Sequence, residues 1–291
     1  MTLEQITPLI LTRNESPNIR RTLEKLTWAR DIVVVDSFSD DGTPEIVAEF
    51  PQARIFQRAF DSHAQQWNFG LRETGIVSSW IMALDADYVL ADELVEEIDA
   101  LQPANDVNGY RAPVVYCVGS RRLRSAIYPA PTFLYRRQQA EYYSDGHTQR
   151  IRLSGRVATL HNPIYHDDRK PLARWFDSQA RYQELEARKL RNTRSSELGL
   201  ADRLRKLRLV APAAVFLHCL IIRGGIFEGP PGMFYALQRF VAESMLSLFL
   251  IEHDIKNVFQ RSSETKTQVE EPADDPPDRT TDGKPELSSS F

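Results

Sequence analysis

Apolar residues recur in two alternating rhythms along the first hundred positions. Pro8-Leu-Ile-Leu-Thr12 and Ile32-Val-Val-Val-Asp36 are short continuous apolar runs, the second β-branched and ending on a carboxylate, as strands buried on both faces require. Ala53–Phe56 and Trp80-Ile-Met-Ala-Leu84 have the same character. Between them the spacing turns helical. Ile19, Leu23 and Leu26 follow Ser16-Pro17, which predicts a helix capped by Ser16 with Pro17 in its first turn. Ile46, Val47 and Phe50 follow Pro44, and Ala64, Trp67 and Leu71 lie within His63–Thr74. Asp92–Leu101 is also amphipathic. Strands alternating with helices of this length predict an α/β fold, a mostly parallel sheet flanked by helices.

After Pro103 the rhythm changes. Gly109–Val118, Phe133–Arg137, Arg150–Leu153 and Val157–Leu160 read as shorter strands without intervening helices, a mixed edge to the sheet. Asp168–Asn192 reads as a long polar helix. A basic stretch follows, then the apolar run Leu209–Ile222, the breakers Gly224-Gly225 and Gly229-Pro-Pro-Gly232, and the apolar Met233–Ile251. Beyond Arg261, Pro, Ser, Thr and acids predominate, which predicts a disordered tail. The expected organisation is a domain over residues 1–185, with halves at 1–102 and 103–185, a basic and apolar helical extension over 186–260, and an acidic tail over 261–291.

Composition changes this picture little; charge placement changes it more. With 291 residues, 42% hydrophobic and 26% charged, the chain can bury a full core. The formal net charge is −4. From Ser262 onward eight acids face three bases, so the tail carries the whole deficit and the body is nearly neutral. Arg188–Arg208 holds eight bases and two acids. Nucleic-acid binding fits poorly, because no recognised module is present and the basic cluster adjoins apolar rather than stacking residues. Cys117 and Cys219 sit in apolar runs and read as small buried hydrophobes. The stretch Met1-Thr-Leu-Glu-Gln5 lacks the basic and apolar regions of a signal peptide, and no uncharged apolar run reaches the ~20 residues of a spanning helix. A cytoplasmic location is expected.

In an open parallel sheet, ligands gather at the carboxyl ends of the strands. Three strands here end in polar groups: Thr12-Arg-Asn-Glu15, Asp36-Ser-Phe-Ser-Asp-Asp41 and Asp85-Ala-Asp87. In extended geometry Asp85 and Asp87 point the same way, which suits a hard divalent cation with positions left for phosphate oxygens. The plainer alternative is that one Asp caps the next helix and the other is solvated.

Leu9-Ile-Leu-Thr-Arg-Asn-Glu15 with Ile19 and Leu23 resembles the opening of the glycosyltransferase family 2 catalytic domain. Val33–Asp36 with Ser39-Asp-Asp-Gly-Thr43 resembles its Asp-rich second motif. Ala64–Gly70 with Asn68, then Trp80–Asp87, resembles its Asn-bearing helix and metal-binding D-x-D. The likeness covers roughly residues 6–180 and is nearest to the branch that adds sugars to lipopolysaccharide inner core and related surface glycans. It implies a GT-A fold, with a nucleotide-sugar-binding first half and an acceptor-binding second half. It implies that Thr12, Asn14, Glu15 and Asn68 line the nucleotide-sugar pocket, that Asp36 bonds the base, a uracil, and that Asp85 faces the ribose or a metal-bound water. Asp87, with Asp85 and His166, would hold Mn2+ or Mg2+ on the diphosphate, and Lys170 would contact phosphate.

The family inverts the anomeric centre by direct displacement, which needs one base on the acceptor hydroxyl. Related core transferases often carry His-Glu where this chain has His147-Thr148, which leaves Asp145 as the expected base and His147 as the alternative. Asp145 before Gly146 also reads as an ordinary turn pair. Asp167 or Asp168 before Pro171 reads equally as a helix cap. The implied partners are a nucleotide-sugar donor and a glycan or glycolipid acceptor. The basic run beside Leu209–Ile222 suggests a helix lying on the cytoplasmic face of the inner membrane, its bases toward anionic headgroups, against the alternative of a buried helix. Two other readings remain. Asp85-Ala-Asp-Tyr-Val89 matches the D-x-D-x-[T/V] pattern of haloacid dehalogenase-like phosphatases, with Asp85 as nucleophile, and the missing His-Glu allows a transferase-like domain that binds without catalysing.

Overall fold

The computed structural model describes residues 1–146 and 148–269, in two compact units, Met1–Leu250 and the segment from Ile251. The first unit is built on a seven-stranded sheet. Its four leading strands, β1 (Ile6–Thr12), β2 (Ile32–Asp36), β3 (Ala53–Gln57) and β4 (Trp80–Asp85), are parallel, with β1 between β2 and β4. Helices α1 (Ile19–Glu24), α2 (Thr43–Ala48) and α3 (His63–Glu73) connect them. The sheet continues beyond β4 through β9 (Thr132–Arg136), antiparallel to β4, then β6 (Val107–Arg111) and β12 (Arg156–Thr159).

Period-two alternation divides the core between two faces. Ile10, Ile32, Val34, Met82 and Leu84 point to one face, where they bury Ile19 and Leu23 of α1 together with Leu94 and Ile98 of α4 (Asp92–Asp99). Leu9, Val33, Val35, Ile81 and Ala83 point to the other, against Ala64, Trp67 and Leu71 of α3. Every one of these strand residues is buried, so each central strand gains burial on both sides. The strand-end loops are thereby mounted on the most rigid part of the molecule.

Several boundaries differ from the sequence expectation, each for a local reason. Helix α1 starts at Ile19 with Asn18 in the cap position, because the Ser16 amide is drawn across to the Asp41 carboxylate. The expected strand Gly109–Val118 breaks at Ala112-Pro113 into β6 and β7 (Val114–Val118), which join different sheets. Proline lacks the amide a continuous ladder needs. Three short strands went unread: β5 (Tyr88–Leu90), β10 (Ala140–Asp145) and β13 (Ile164–His166). Strand β10 pairs with β11 (Thr148–Leu153) as a hairpin. Strands β5, β13, β7 and β8 (Arg121–Arg122) form a second, four-stranded sheet.

The C-terminal part is helical: α5 (Leu172–Asn192), α6 (Leu200–Arg205), α7 (Val210–Leu217) continued by a π-helical turn His218–Ile222, and α8 (Pro230–Val269). Helix α5 begins after Pro171, four residues later than expected, so neither Asp167 nor Asp168 caps it. Helix α8 runs past Arg261, where the tail was expected to begin, and residues 270–291 lie outside the described residues. By length and composition alone, Pro230–Phe259 could cross a membrane. Within the first unit one side of it packs against the protein, while Leu237 and Leu248 on another side stay exposed. Leu246 and Leu250 bury against Ala187 and Leu190 of α5, and the buried Glu243 carboxylate pairs with Arg205 at 2.9 Å and Arg239 at 3.3 Å.

Part of the basic run is engaged within the protein. Arg205 also meets Asp202 at 3.1 Å, Lys189 meets Asp145 at 3.1 Å, and Arg188 meets Glu184 at 2.7 Å. Arg203 donates to the Leu198 carbonyl and Lys206 to that of Thr193. Arg188, Arg191, Arg194 and Arg203 remain exposed.

Where α8 starts, Gly232 lies directly against the backbone of Gly225; a β-carbon there would stand 2.1 Å from the Gly225 carbonyl oxygen. Gly232→Ala must therefore displace the turn and is expected to cost about 1–3 kcal/mol of unfolding free energy in urea denaturation. A midpoint equal to that of the native chain would show the contact to be soft.

Candidate active site

The carboxyl ends of β1, β2 and β4 meet in one cleft, and the loops that line it are tied together by their own side chains. Asp36, at the end of β2, is fully buried. Its carboxylate accepts from Thr12 Oγ1 at 2.8 Å, the Ser39 amide at 2.8 Å and Ser39 Oγ at 2.5 Å. These bonds make Asp36 and Thr12 part of the framework that shapes the loop. Asn14 has a left-handed backbone (φ 57°), accepts from the Asp40 amide and gives its own amide to Ser39 Oγ. The Glu15 amide donates to Thr43 Oγ1 at 2.8 Å, and Thr43 in turn donates to Asp41. The β1 and β2 loops are thus locked as one body. Phe38, also left-handed (φ 56°), is held exposed at its tip.

The side-chain amide of Asn68 donates to the Tyr142 carbonyl and accepts from the Tyr142 amide, each at 2.9 Å. It clamps α3 to β10. Trp67 stacks on Tyr142 beside it at 5.5 Å.

Asp85 and Asp87 form the floor of the cleft. Asp85 is open to solvent, whereas Asp87 is buried beside His166, whose Nε2 lies 3.1 Å from Asp87 Oδ2. The His166 ring sits among the edges and faces of Tyr88, Tyr116 and Tyr128 at 5.4, 4.9 and 5.1 Å. The second sheet makes this possible: pairing of β13 with β5 and β7 sets His166 opposite both Tyr88 and Tyr116. Lys170 reaches in from the segment after β13, with Nζ 2.6 Å from Glu15 and 3.6 Å from Asp168.

Negative charge exceeds positive here, and the carboxyls divide accordingly. Burial works to raise Asp87, but the charge and hydrogen bond of His166, with Lys170 beyond, hold it at about 2. The surrounding protein and the charge of Asp87 lift Asp85 to about 6. Burial lifts Glu15 to about 7 against the opposing pull of Lys170. Burial would lower Lys170 and His166, yet the carboxylates raise both above their ordinary values. Two neighbouring carboxyls therefore resist being ionised together.

Asn18, which the sequence reading missed, is the hub behind this charge. Its amide nitrogen donates to Glu15 at 2.8 Å and Asp168 at 2.9 Å; its oxygen accepts from Arg21 and from the Arg169 amide, both at 2.9 Å. Arg21 pairs with Asp167 at 2.6 Å. The helix-cap position of Asn18 was the available signal. Its link to residues 150 positions away was not.

A divalent ion is tested against two buried atoms. Asp87 Oδ1 and His166 Nδ1 have no hydrogen-bond partner among the described residues. Unpartnered buried acceptors are rare and ask for a reason. With the surplus of carboxylates, they fit a hard cation. Among the described residues no three His, Cys, Asp or Glu side chains form a group that could hold a metal ion by themselves.

Of the two residues considered for the base, Asp145 ends β10 and is held by Arg150 at 2.5 Å and Lys189 at 3.1 Å. His147 lies outside the described residues.

A strand-end cleft floored by paired carboxylates defines an α/β domain of the GT-A-like kind: a largely parallel sheet flanked by helices, with a helical C-terminal part. Residues 9–157 match the family described as Glycosyl transferase family 2, and the chain belongs to that family. This displaces the phosphatase alternative. The chain is 32% identical over 111 residues to an uncharacterized glycosyltransferase of Rickettsia felis, a match covering 38% of each protein. It is 32% identical over 110 residues to one from Rickettsia conorii, again covering 38% of each. The matched region thus spans well under half the length of these curated relatives. Among solved structures, S. aureus TarS 1-349 in complex with UDP-GlcNAc aligns over 88% of this chain and 92% of that one, with a TM-score of 0.45 and 12% identity.

Lys170→Met leaves the Glu15 carboxyl without its cation and is expected to cost on the order of 3 kcal/mol of stability. Glu15→Gln in the same chain should restore part of the loss. Urea unfolding of the two single variants and the double variant checks this. Strictly additive losses would show that the pair is not coupled.

Proposed function

We propose that this protein is an inverting glycosyltransferase that moves a sugar from a UDP-linked donor to a lipid-linked surface glycan of the lipopolysaccharide kind, at the cytoplasmic face of the inner membrane. The observation that carries the reading is the acid-rich floor of the strand-end cleft, with Asp87 held ionised and one of its oxygens unpartnered beside His166. Asp87, Asp85 and His166 would hold Mn2+ or Mg2+. The chemistry such an ion supplies when bound is neutralisation of the charge on the departing diphosphate.

The chain's own residues do the rest. Lys170, kept protonated by the carboxylates around it, offers a fixed positive charge at the same floor for a phosphate oxygen. The loops locked by Asp36, Asn14 and Thr43 provide a rigid wall for the nucleoside, so little order has to be imposed on binding. Glu15 is held by Lys170 and Asn18 at the rim of that wall. Tyr88 and Tyr128, bonded to each other at 3.1 Å, close the far side and keep water from Asp87.

The base on the acceptor hydroxyl is assigned to Asp145. It ends β10, three residues beyond Tyr142, at the turn of the β10–β11 hairpin. Arg150 and Lys189 hold its carboxylate in place.

Asp87→Ala is expected to reduce Mn2+-dependent cleavage of UDP-sugars by at least a hundredfold while far-ultraviolet circular dichroism stays unchanged; retention of metal-dependent cleavage would exclude the metal assignment. Asp145→Asn should reduce transfer to acceptor by about 10²–10⁴-fold while UDP-sugar still raises the melting temperature as in the native chain. Near-normal transfer by that variant would remove Asp145 from the role.

A further inference from the structure

A second group of positive charges, away from the basic run of the sequence, is left without carboxylate partners among the described residues. The β7–β8 turn and the turn before α8 enclose a cleft of about 360 Å³, lined by Arg121, Arg122, Arg124, Arg223 and Phe227. All four arginines are exposed. Arg122 stacks over the Tyr165 ring at 4.0 Å, and Arg223 reaches the Arg124 carbonyl at 3.1 Å. None of the four pairs with a carboxylate among the described residues. The one acid of the lining, Glu228, is turned to the backbone instead, accepting from the Arg124 amide at 2.5 Å and the Ser125 amide at 3.3 Å. Its carboxylate fixes the turn that carries the arginines.

The rim of this cleft is apolar and bare. Phe227 is 91% exposed, Ile222 73% and Ile226 54%. Their neighbours Cys219 and Leu220 bury against Leu123 and Tyr235, which fixes the exposed set on the opposite side. Large apolar side chains held outward on a well-packed turn, beside four guanidiniums, have the two components that an anionic lipid surface requires: a wedge for the acyl boundary and donors for phosphate.

We infer that Arg121, Arg122, Arg124 and Arg223 form a headgroup site for an anionic phospholipid, and that Phe227, Ile222 and Ile226 insert beside it. The inference deepens the membrane-surface part of the proposed function and rests on it; donor chemistry in the strand-end cleft is separate. Arginine suits the task because its planar fork takes two phosphate oxygens at once and remains charged at every working pH. The orientation follows from the same residues, since Leu123, between the arginines, is anchored in the core.

The test is sedimentation of the full chain with vesicles of one part phosphatidylglycerol to three parts phosphatidylcholine, and with pure phosphatidylcholine, at low and high salt. The native chain should bind the anionic vesicles, release them as salt rises, and bind the neutral ones far more weakly. Arg121→Gln with Arg124→Gln should weaken binding about thirtyfold, at roughly fivefold for each charge near the surface. Phe227→Ser should weaken it about tenfold or more. Both variants should keep the UDP-sugar shift in melting temperature, so a fault in the fold or the donor site is seen separately.

Native chain that binds no vesicle overturns the membrane reading together with this site. Binding that the arginine variant leaves intact overturns the site alone. A rise in the melting temperature of a chain that ignores vesicles on adding millimolar inorganic phosphate, absent in the arginine variant, would reassign the cleft to a free anion. Loss of self-association in Phe227→Ser, read by light scattering, with vesicle binding unchanged, would reassign the apolar rim to a second copy of the chain.

Discussion

The constraint on which the cleft depends is an excess of negative charge at the carboxyl end of β4. Asp85, Asp87, Glu15 and Asp168 gather around one lysine and one histidine, where the protein displaces much of the water that would otherwise screen them. Such a cluster is costly, and a fold selected for stability alone would replace it with apolar residues. The surroundings reduce that cost with counter-charges from another part of the chain. His166 ends β13 of the second sheet and Lys170 follows it, so the first hundred residues supply Asp85, Asp87 and Glu15 while the later segment supplies both bases along with Asp168. The two halves of the domain are therefore joined at the candidate site by charge as well as by strand pairing.

This division explains why so many polar groups near the cleft face each other. Asp36, Asn14, Ser39 and Thr43 exhaust their hydrogen bonds within the two loops, and Asn68 exhausts its own on the backbone of β10. They fix loop shape before any ligand arrives. What remains open is a narrower set: Asp85 at the floor, one oxygen of Asp87, and the exposed Phe38 at the loop tip. A prearranged cleft of this kind gains affinity because little conformational freedom is lost on binding.

Much of this was legible in the sequence. Continuous β-branched runs such as Ile32–Val35 can only be strands covered on both faces, and the carboxylates that end them fall at the sheet's ligand-binding edge in any such fold. The partners of those carboxylates were less legible. That His166 meets Asp87 was expected in outline from the resemblance. That Asn18 joins Glu15 to Asp168 depends on a contact across 150 residues, and no local pattern announces it. Strands β5 and β13, which place His166, have three residues each and are shorter than any periodicity can reveal. The bonds of Asn68 to the backbone of β10 were equally unannounced, because a motif position identifies a side chain without saying which of its neighbours it meets.

Charge patterning misled for a related reason. A run of eight bases between Arg188 and Arg208 reads as a positive face, but helices bring distant acids to it: Glu243 from α8 to Arg205, and Asp145 from β10 to Lys189. Once paired, those bases add little to the external field. The arginines at the β7–β8 turn are fewer and less conspicuous in sequence, yet they sit on a tight hairpin whose nearest acid is turned inward. Residual surface charge is set by which bases the fold fails to neutralise, so it is a property of the tertiary arrangement. In this protein that arrangement adds, to the arginines still exposed on the helical extension, a second positive group next to the bare apolar turn that precedes α8.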